Sequence, residues 1–173
     1  MDAQSGDGAY RSSLSIRFAG VGREEATPRP PTDAERSVVD AAFAPVLRDL
    51  LATEAIVPEV RYEAWQDRGP ESVSAFIGPA GGTAGSRGVW VELAASLAEQ
   101  VARLAEQVQE WEVEELCASG QSATWPQCPE HPNAHPLEPA VADAGAAIWR
   151  CPRAGLAISA IGELAGRRPG TAR

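Results

Sequence analysis

The strongest constraint on the fold is a helical pattern that runs from Leu93 to Gly120, in the stretch LAASLAEQVARLAEQVQEWEVEELCASG. Apolar residues recur at alternating steps of four and three, which is the spacing of one face of an α-helix: Leu97, Val101, Leu104, Val108 and Trp111. The opposite face is charged and carries Glu99, Arg103, Glu106 and Glu110. We expect a helix that covers one face of a sheet and ends at Gly120. The repeat is short for an intermolecular coiled coil, the alternative interpretation.

A second helix is predicted from Thr32 to about Thr53. Thr32 and Glu35 have the spacing of a capping box, in which a hydroxyl and a carboxylate satisfy free backbone amides at a helix start. Pro45 is expected to kink this helix, because proline removes one backbone hydrogen bond. The apolar positions keep helical spacing: Val39, Phe43, Val46, Leu47, Leu50 and Leu51.

Between the two helices the pattern changes to strands. The stretches VRYEAW, SVSAFIG and VWVEL predict three strands, and their short connections favour an antiparallel meander. A glycine-rich loop, Gly78 to Gly88, joins the last two; an anion site on its amides with help from Arg87 is the alternative use of that loop. Near the C-terminus, AAIWRCPRAGLAISAIGEL predicts a β-hairpin that turns at Pro152 to Gly155.

These elements predict an α+β fold with an N-terminal helix, a three-stranded antiparallel meander, a long amphipathic helix and a C-terminal zinc-ribbon-like hairpin. Four regions follow along the chain. They are a disordered arm at 1–31, an α+β core at 32–120, a proline-rich ribbon-like hairpin packed on that core at 121–164, and a flexible tail at 165–173. The arm and the tail are rich in Gly, Ser, Arg and Pro.

Composition excludes several classes of function. The formal net charge is −9, which makes nucleic acid an unfavourable partner because like charges repel. All 15 basic residues are arginine, so mechanisms that need a phosphate-binding or Schiff-base lysine are excluded. No apolar run is long enough for a membrane span, and the first residues lack the pattern of a secretory signal. Three cysteines, an odd number, indicate a cytoplasmic protein more than a disulfide framework.

The stretch Thr124–Pro139, TWPQCPEHPNAHPLEP, holds both histidines and one of the three cysteines on a frame of five prolines. With Cys151 it gives the spacing C-x2-H-x3-H-x15-C. Thiolate and imidazole are the ligands that zinc prefers, and four of them close a tetrahedron. The sequence therefore predicts a Zn²⁺ site made of Cys128, His131, His135 and Cys151.

This region resembles a zinc ribbon, in which CPEH and CPRAG take the places of the two metal knuckles. The resemblance departs from the ribbon at Ala154, where a fourth ligand is expected, so His135 fills that place, or the site has three protein ligands, or the metal has been lost. The segment W-P-x-C-P-x-H-P followed by W-x-C-P also resembles a group of short uncharacterised proteins from GC-rich bacteria. That resemblance implies a small stand-alone protein and no particular activity.

Two alternatives to a metal site stay open. In the first, Trp125 and Trp149 pack over the proline-rich loop and the thiols are buried apolar fillers, as in a metal-free relic. In the second, Cys128 and His131 form the thiol–imidazole pair of a thiol- or zinc-dependent hydrolase. No zinc-deaminase, metalloprotease or nucleophile-elbow motif is present. Cys117 is expected to be buried, and the acidic run EWEVEEL (Glu110, Glu112, Glu114, Glu115) is expected to be a solvated helix face.

The function predicted from the sequence is a small cytoplasmic interaction or scaffold protein, stabilised by one structural zinc ion and bound to an unidentified protein partner. It is not expected to bind nucleic acid or a membrane. Catalysis is the less favoured hypothesis, since no third orienting group accompanies the thiol and imidazole.

Overall fold

The structure is a computed structural model that describes residues 29–63, 71–82 and 85–164. Its elements, in chain order, are α1 (Asp33–Ala52), β1 (Glu59–Arg61), β2 (Ser72–Gly78), β3 (Arg87–Glu92), α2 (Leu97–Ala118), β4 (Glu138–Val141), β5 (Ala147–Arg150) and β6 (Ala157–Ala160). The prediction of a mixed α+β protein is confirmed. The predicted flexible tail, most of the predicted arm and the end of the first predicted strand at Trp65 lie outside the described residues.

Helix α1 begins as its sequence predicts. Thr32 is the N-cap, and its hydroxyl accepts the backbone N–H of Glu35, whose carboxylate in turn accepts the backbone N–H of Thr32. Arg29 adds an ion pair at 2.6 Å, and these donors lower the pKa of Glu35 to about 2. The helix continues through Pro45 to Ala52.

The first sheet is antiparallel, in the order β1-β2-β3. Its register pairs Val73 with Val91 and Ala75 with Val89, so these side chains share one face, together with Ile77. All five are buried, which is the alternation expected when one face of a sheet meets a core. Both helices contact this sheet, α1 at β2 and α2 at β3.

Helix α2 lies beside β3 and uses glutamines to satisfy the backbone of its neighbours. The side-chain amide of Gln107 donates to the carbonyl of Trp90 and accepts its N–H, at 2.8 and 2.9 Å. Gln100 donates to the carbonyl of Glu92 at 2.8 Å. Leu97, predicted on the buried stripe, is 57% exposed, because it is the first helical residue and lies beyond the covered turns.

The C-terminal strands form a second antiparallel sheet in the order β4-β5-β6. The sequence predicted only the hairpin of β5 and β6, so the expected two-stranded ribbon is incomplete. Strand β4 was missed because it contains Pro139, and proline usually argues against a strand. Here Pro139 lies on an edge strand, where its missing N–H costs no ladder hydrogen bond.

One hydrophobic cluster joins both helices and both sheets, and it includes Trp111, Trp125 and Trp149.

The chain after β6 is held to α1 by Asp49, which is fully buried. Its carboxylate accepts the backbone N–H groups of Gly162 and Leu164 at 2.7 and 2.9 Å. The backbone of Gly162 has φ +98°, and a Cβ built on it would lie 2.9 Å from the Pro45 Cβ.

Two further predictions about α2 are wrong. Cys117 is exposed, because it lies near the end of the helix on the side away from the core. Glu112, expected in solvent, is fully buried: its Oε1 accepts the backbone N–H of Ile56 at 2.9 Å, and its Oε2 has no partner among the described residues. Burial raises the pKa of Glu112 to about 7, with a further contribution from the charge of Glu115.

Within the described part of the chain, no helix combines the length and apolar character that crossing a bilayer requires.

Candidate metal centre

Three of the four predicted ligands lie in one closed loop. Gln127 and Pro136 form an isolated antiparallel bridge, and the N–H of Leu137 donates to the carbonyl of Pro126 at 2.8 Å. The loop turns at Asn133, whose φ of 62° falls in the left-handed region that asparagine tolerates better than most residues. The side chain of Gln127 donates to Asn133 Oδ1 at 2.7 Å. The sequence between the bridge residues therefore forms a compact loop that carries Cys128, His131 and His135.

The fourth predicted ligand, Cys151, begins the turn between β5 and β6. Its N–H donates to the carbonyl of Leu156 at 2.9 Å, and its carbonyl accepts the N–H of Gly155, which has φ +69°. At position 154, where a zinc ribbon would carry a ligand, the N–H of Ala154 points at Cys151 Sγ at 3.4 Å. Such N–H···S contacts stabilise a thiolate, so this turn has the backbone arrangement of a metal knuckle with one side-chain ligand.

The structure brings all four predicted side chains together. Their ligand atoms lie within 4.8 Å of one another. His131 Nδ1 is 3.6 Å from Cys128 Sγ and 3.5 Å from Cys151 Sγ, and His135 Nε2 is 3.7 Å from Cys151 Sγ. Zn–S bonds of about 2.3 Å and Zn–N bonds of about 2.0 Å at tetrahedral angles require S–N separations of about 3.5 Å. Three of the four S–N separations match that value, and every other pair of ligand atoms lies within 4.8 Å. The donor set is therefore close enough for one metal ion bound by two thiolates and two imidazoles.

The tautomer of His135 suits a ligand. Its Nδ1 lies 2.8 Å from the carbonyl oxygen of Pro136, and a carbonyl only accepts, so Nδ1 carries the proton. Nε2 is then unprotonated, and it is the nitrogen that faces Cys151. Holding the second ring nitrogen by a backbone carbonyl is the common way in which proteins orient a metal-binding histidine.

Burial divides the four ligands into two kinds. Cys128 and Cys151 are fully buried, whereas both histidines are half-buried, with ring centroids 5.1 Å apart. The thiols therefore lie on the core side of the cluster and the imidazoles on the solvent side. This arrangement shields the more reactive ligands from solvent.

Two tryptophans attach the site to helix α1. Trp125, three residues before Cys128, donates through Nε1 to Thr53 Oγ1 at 2.9 Å. Trp149, two residues before Cys151, donates to Asp49 Oδ2 at 2.7 Å. The rings meet edge to face with centroids 5.6 Å apart. The packing of Trp125 and Trp149, which the sequence offered as an alternative to metal, thus coexists with the ligand cluster.

Sequence reasoning missed the residues that support the site. Asp49 and Thr53 accept the indole N–H groups, and Gln109 donates to the carbonyls of Trp125 and Leu137 at 2.8 and 2.6 Å. A signal existed for Asp49: it follows Val46 by three positions and so falls on the apolar stripe of its helix. Gln109 carries no comparable signal, because an isolated glutamine beside a stripe is ordinary on a helix surface.

The alternative anion site is not supported at Arg87. Its guanidinium donates to Glu114 at 2.9 Å and to Glu110 at 2.7 Å, both on α2. It therefore ties the glycine-rich loop to the helix. Thr83 and Ala84 of that loop lie outside the described residues.

Comparison with known proteins gives no relatives: no family model, no curated protein and no solved structure matches the chain. The geometry of this site is therefore the basis for a proposed function.

Proposed function

We propose that the protein is a small zinc-stabilised interaction protein in which Cys128, His131, His135 and Cys151 bind one structural Zn²⁺ ion. The observation that carries the proposal is the convergence of two thiols and two imidazoles within 4.8 Å, with three S–N separations of the length that a tetrahedral zinc site requires. The ion would join the loop of residues 126–137 to the β5–β6 turn. Zinc binding by small Cys/His modules contributes on the order of 10 kcal/mol, enough to hold a small sheet in place.

A structural role fits the number of ligands better than catalysis does. Catalytic zinc usually has three protein ligands and an open position for water or substrate, whereas structural zinc is closed by four. Here a fourth protein ligand, His135, lies beside Cys151. The alternative of a thiol- or zinc-dependent hydrolase using Cys128 and His131 would need that ligand to leave.

The zinc content of the purified full chain tests the proposal, measured by elemental analysis on wild type, Cys151→Ser and Cys117→Ser. We expect about one zinc per wild-type chain, because four ligands close one tetrahedral site. Cys151→Ser should lose most of the metal. Cys117→Ser is the matched control: its thiol is exposed and outside the cluster, so it should keep the full complement.

Thiol accessibility gives a second readout on the same samples. In the zinc-loaded protein only Cys117 should react with iodoacetamide at neutral pH, and a chelator should expose Cys128 and Cys151. Wild-type protein that stays folded after expression and refolding with zinc, yet contains none, would contradict the metal proposal. Rapid labelling of Cys128 in the zinc-loaded protein would instead favour the thiol hydrolase.

A further inference from the structure

A groove opens between α2, the end of β3 and strand β4, away from the metal centre. Its volume is about 440 Å³. The apolar part of its wall comes from small side chains, Ala95, Ala102, Pro139 and Val141, and the polar part from Glu92, Glu99, Gln100, Arg103 and Glu106. Val141 is 42% exposed.

The outer edge of β4 is unpaired where it meets this groove. At the β4–β5 turn, the N–H of Ala142 donates to the carbonyl of Ala146 at 2.9 Å. In an antiparallel ladder hydrogen-bonded and non-hydrogen-bonded pairs alternate, so the pairs Val141–Ala147 and Pro139–Trp149 are non-hydrogen-bonded. The N–H and carbonyl of Val141 therefore point away from β5. The described residues provide no partner for them.

Other strand edges beside α2 are satisfied by its glutamines. Leu137, on the same outer edge as Val141, donates to the carbonyl of Pro126 and accepts from Gln109. Gln107 pairs with both backbone groups of Trp90. Farther along the β4 edge, where Val141 lies, the groove-lining residues of α2 are Glu99, Ala102, Arg103 and Glu106, and none of them bonds to its backbone. An uncovered strand edge is a template for pairing with another chain.

The chemistry of the groove selects a positively charged occupant. Three carboxylates line it against one arginine, and that arginine is bound to Glu106 at 3.1 Å. Gln100, a groove-lining residue that is 7% exposed, donates through Nε2 to the backbone carbonyl of Glu92, while its Oε1 accepts from no described residue. Proline at 139 contributes a carbonyl but no N–H. The free groups are therefore mostly acceptors, which match the donors of arginine or lysine.

We propose that this groove binds an extended basic peptide segment of a partner protein, which adds to the outer edge of β4 as a short strand. Backbone bonds to Val141 fix its direction, and its basic side chains meet Glu92, Glu99 and Glu106. Strand addition with side-chain selection is a common mode of peptide recognition. This inference rests on the proposed interaction function and names the class of partner.

The test uses fluorescence anisotropy with the zinc-loaded full chain and a labelled peptide, Arg-Val-Arg-Val-Arg-Val. The control peptides are Glu-Val-Glu-Val-Glu-Val and Arg-Pro-Arg-Pro-Arg-Pro, which has the same charge but fewer backbone donors. We expect saturable binding of the first peptide, weaker binding of the proline peptide and none of the acidic one.

Two sets of variants separate the backbone contact from the charge. Val141→Pro removes the outward N–H and keeps the ladder to β5, since Pro139 is tolerated at an equivalent position of the same strand. It should weaken peptide binding about fivefold, the effect of one hydrogen bond. Val141→Ala keeps the N–H and is its control. Glu92→Gln with Glu106→Gln should weaken binding about tenfold, as expected for two rim charges. The matched pair Glu54→Gln with Glu114→Gln, outside the groove, should have little effect.

Equal affinity for the two arginine peptides would overturn strand addition. So would an unchanged peptide affinity in both Val141→Pro and Val141→Ala. Spermine competing as strongly per charge as the peptide would show a site for cations only and also overturn it. A dimer that dissociates in the Val141→Pro or Glu92→Gln/Glu106→Gln variants would assign the groove to a second copy of the chain. The outcome is separate from that of the metal proposal. Folded protein that contains no zinc after refolding with zinc, yet binds the peptide, would contradict the zinc site alone. Zinc-replete protein that does not bind the peptide would contradict the groove alone.

Discussion

At the scale of single residues, Asp49 connects helix α1 to two other parts of the molecule. It lies on α1, is fully buried, and accepts from the Trp149 indole beside the metal centre and from two backbone N–H groups after β6. Three donors compensate the cost of burying its charge. One carboxylate thus holds the second sheet to the first helix.

We expect Asp49→Asn to lower the free energy of unfolding by about 3 kcal/mol, because an amide keeps only one acceptor and turns an NH2 group towards donors. Urea unfolding followed by tryptophan fluorescence measures the change. The control is Asp33→Asn on the same helix, whose side chain is 99% exposed; it should change stability by a few tenths of a kcal/mol. An equal effect at the two positions would contradict the role given to Asp49.

Glu112 makes stability depend on pH in a direction opposite to most carboxylates. Its pKa in the folded protein is about 7, above the ordinary value of 4.5, because burial and the nearby charge of Glu115 disfavour the ionised carboxylate. The folded state therefore keeps this proton longer than the unfolded state does. Its contribution to stability is fully present below pH 4.5 and is lost as the pH rises towards and through 7.

Between pH 5 and pH 8 we expect wild-type stability to fall by about 2.5 kcal/mol through this group, and Glu112→Gln to remove that fall. The glutamine Oε1 can still accept the N–H of Ile56. Thermal unfolding across the pH range measures both. Glu138→Gln, at an exposed position on β4, should keep the wild-type slope; a slope that survives Glu112→Gln would assign it to other groups.

At the scale of elements, helix α2 is the part that joins the two sheets. Its apolar stripe enters the core, while its glutamines satisfy backbone groups of β3 and of the segment around Trp125 and Leu137. A side-chain amide offers a donor and an acceptor in the same geometry as a peptide group, so it can replace a missing neighbouring strand. This explains why polar residues flank the stripe without reaching solvent.

Gln109→Ala should destabilise the protein by about 2 kcal/mol, because it leaves two carbonyl oxygens with one fewer donor each. It should also weaken zinc binding, since both carbonyls belong to the ends of the ligand loop. Urea unfolding and competition with a chromophoric zinc chelator measure the two effects. Gln121→Ala is the control, because this residue lies beyond the helix end and its side-chain amide donates to Ser119, away from the ligand loop. Unchanged zinc affinity would show that the loop does not depend on α2.

The elements that could be predicted from the sequence are those specified by residues close to one another along the chain. The capping box at Thr32 and the apolar stripe of α2 specify the two helices through contacts only a few residues apart. Strand β4 was missed because Pro139 argues locally against a strand, and only the pairing with β5 makes that position suitable. The four ligands were predictable from residue types that are rare in this chain. Asp49, Gln109 and Glu112 were not, because their roles depend on contacts far along the sequence.

At the scale of the whole molecule, the structure has one core rather than a core with a separate appendage. Trp125, Cys128 and Trp149 of the C-terminal part belong to the same buried cluster as Val46 and Leu104 of the helices. The indole bonds to α1 cross this boundary as well. A segment that shares so much of the interior is expected to unfold with the rest when its metal is bound.

In the zinc-loaded protein we expect thermal unfolding to be a single transition, with the same midpoint by far-ultraviolet circular dichroism and by tryptophan fluorescence. Removal of zinc should separate the probes: the tryptophan signal, to which Trp125 and Trp149 beside the site contribute, should change first, while the helical signal of α2 persists. Cys128→Ser should behave like the chelated protein and Cys117→Ser like wild type. Identical melting curves with and without a strong chelator would contradict a structural metal.

The close approach of Gly162 to Pro45 limits how this chain can vary. Gly162 has φ +98°, and a Cβ on it would come too close to the Pro45 ring. Even alanine would therefore push the segment after β6 away from α1 and lengthen the hydrogen bond from the Gly162 N–H to Asp49. Natural variants that replace this glycine are thus expected to carry a compensating change on the proline side of the contact. The contact between Gly162 and Pro45 therefore restricts which substitutions helix α1 and the segment after β6 can accept independently.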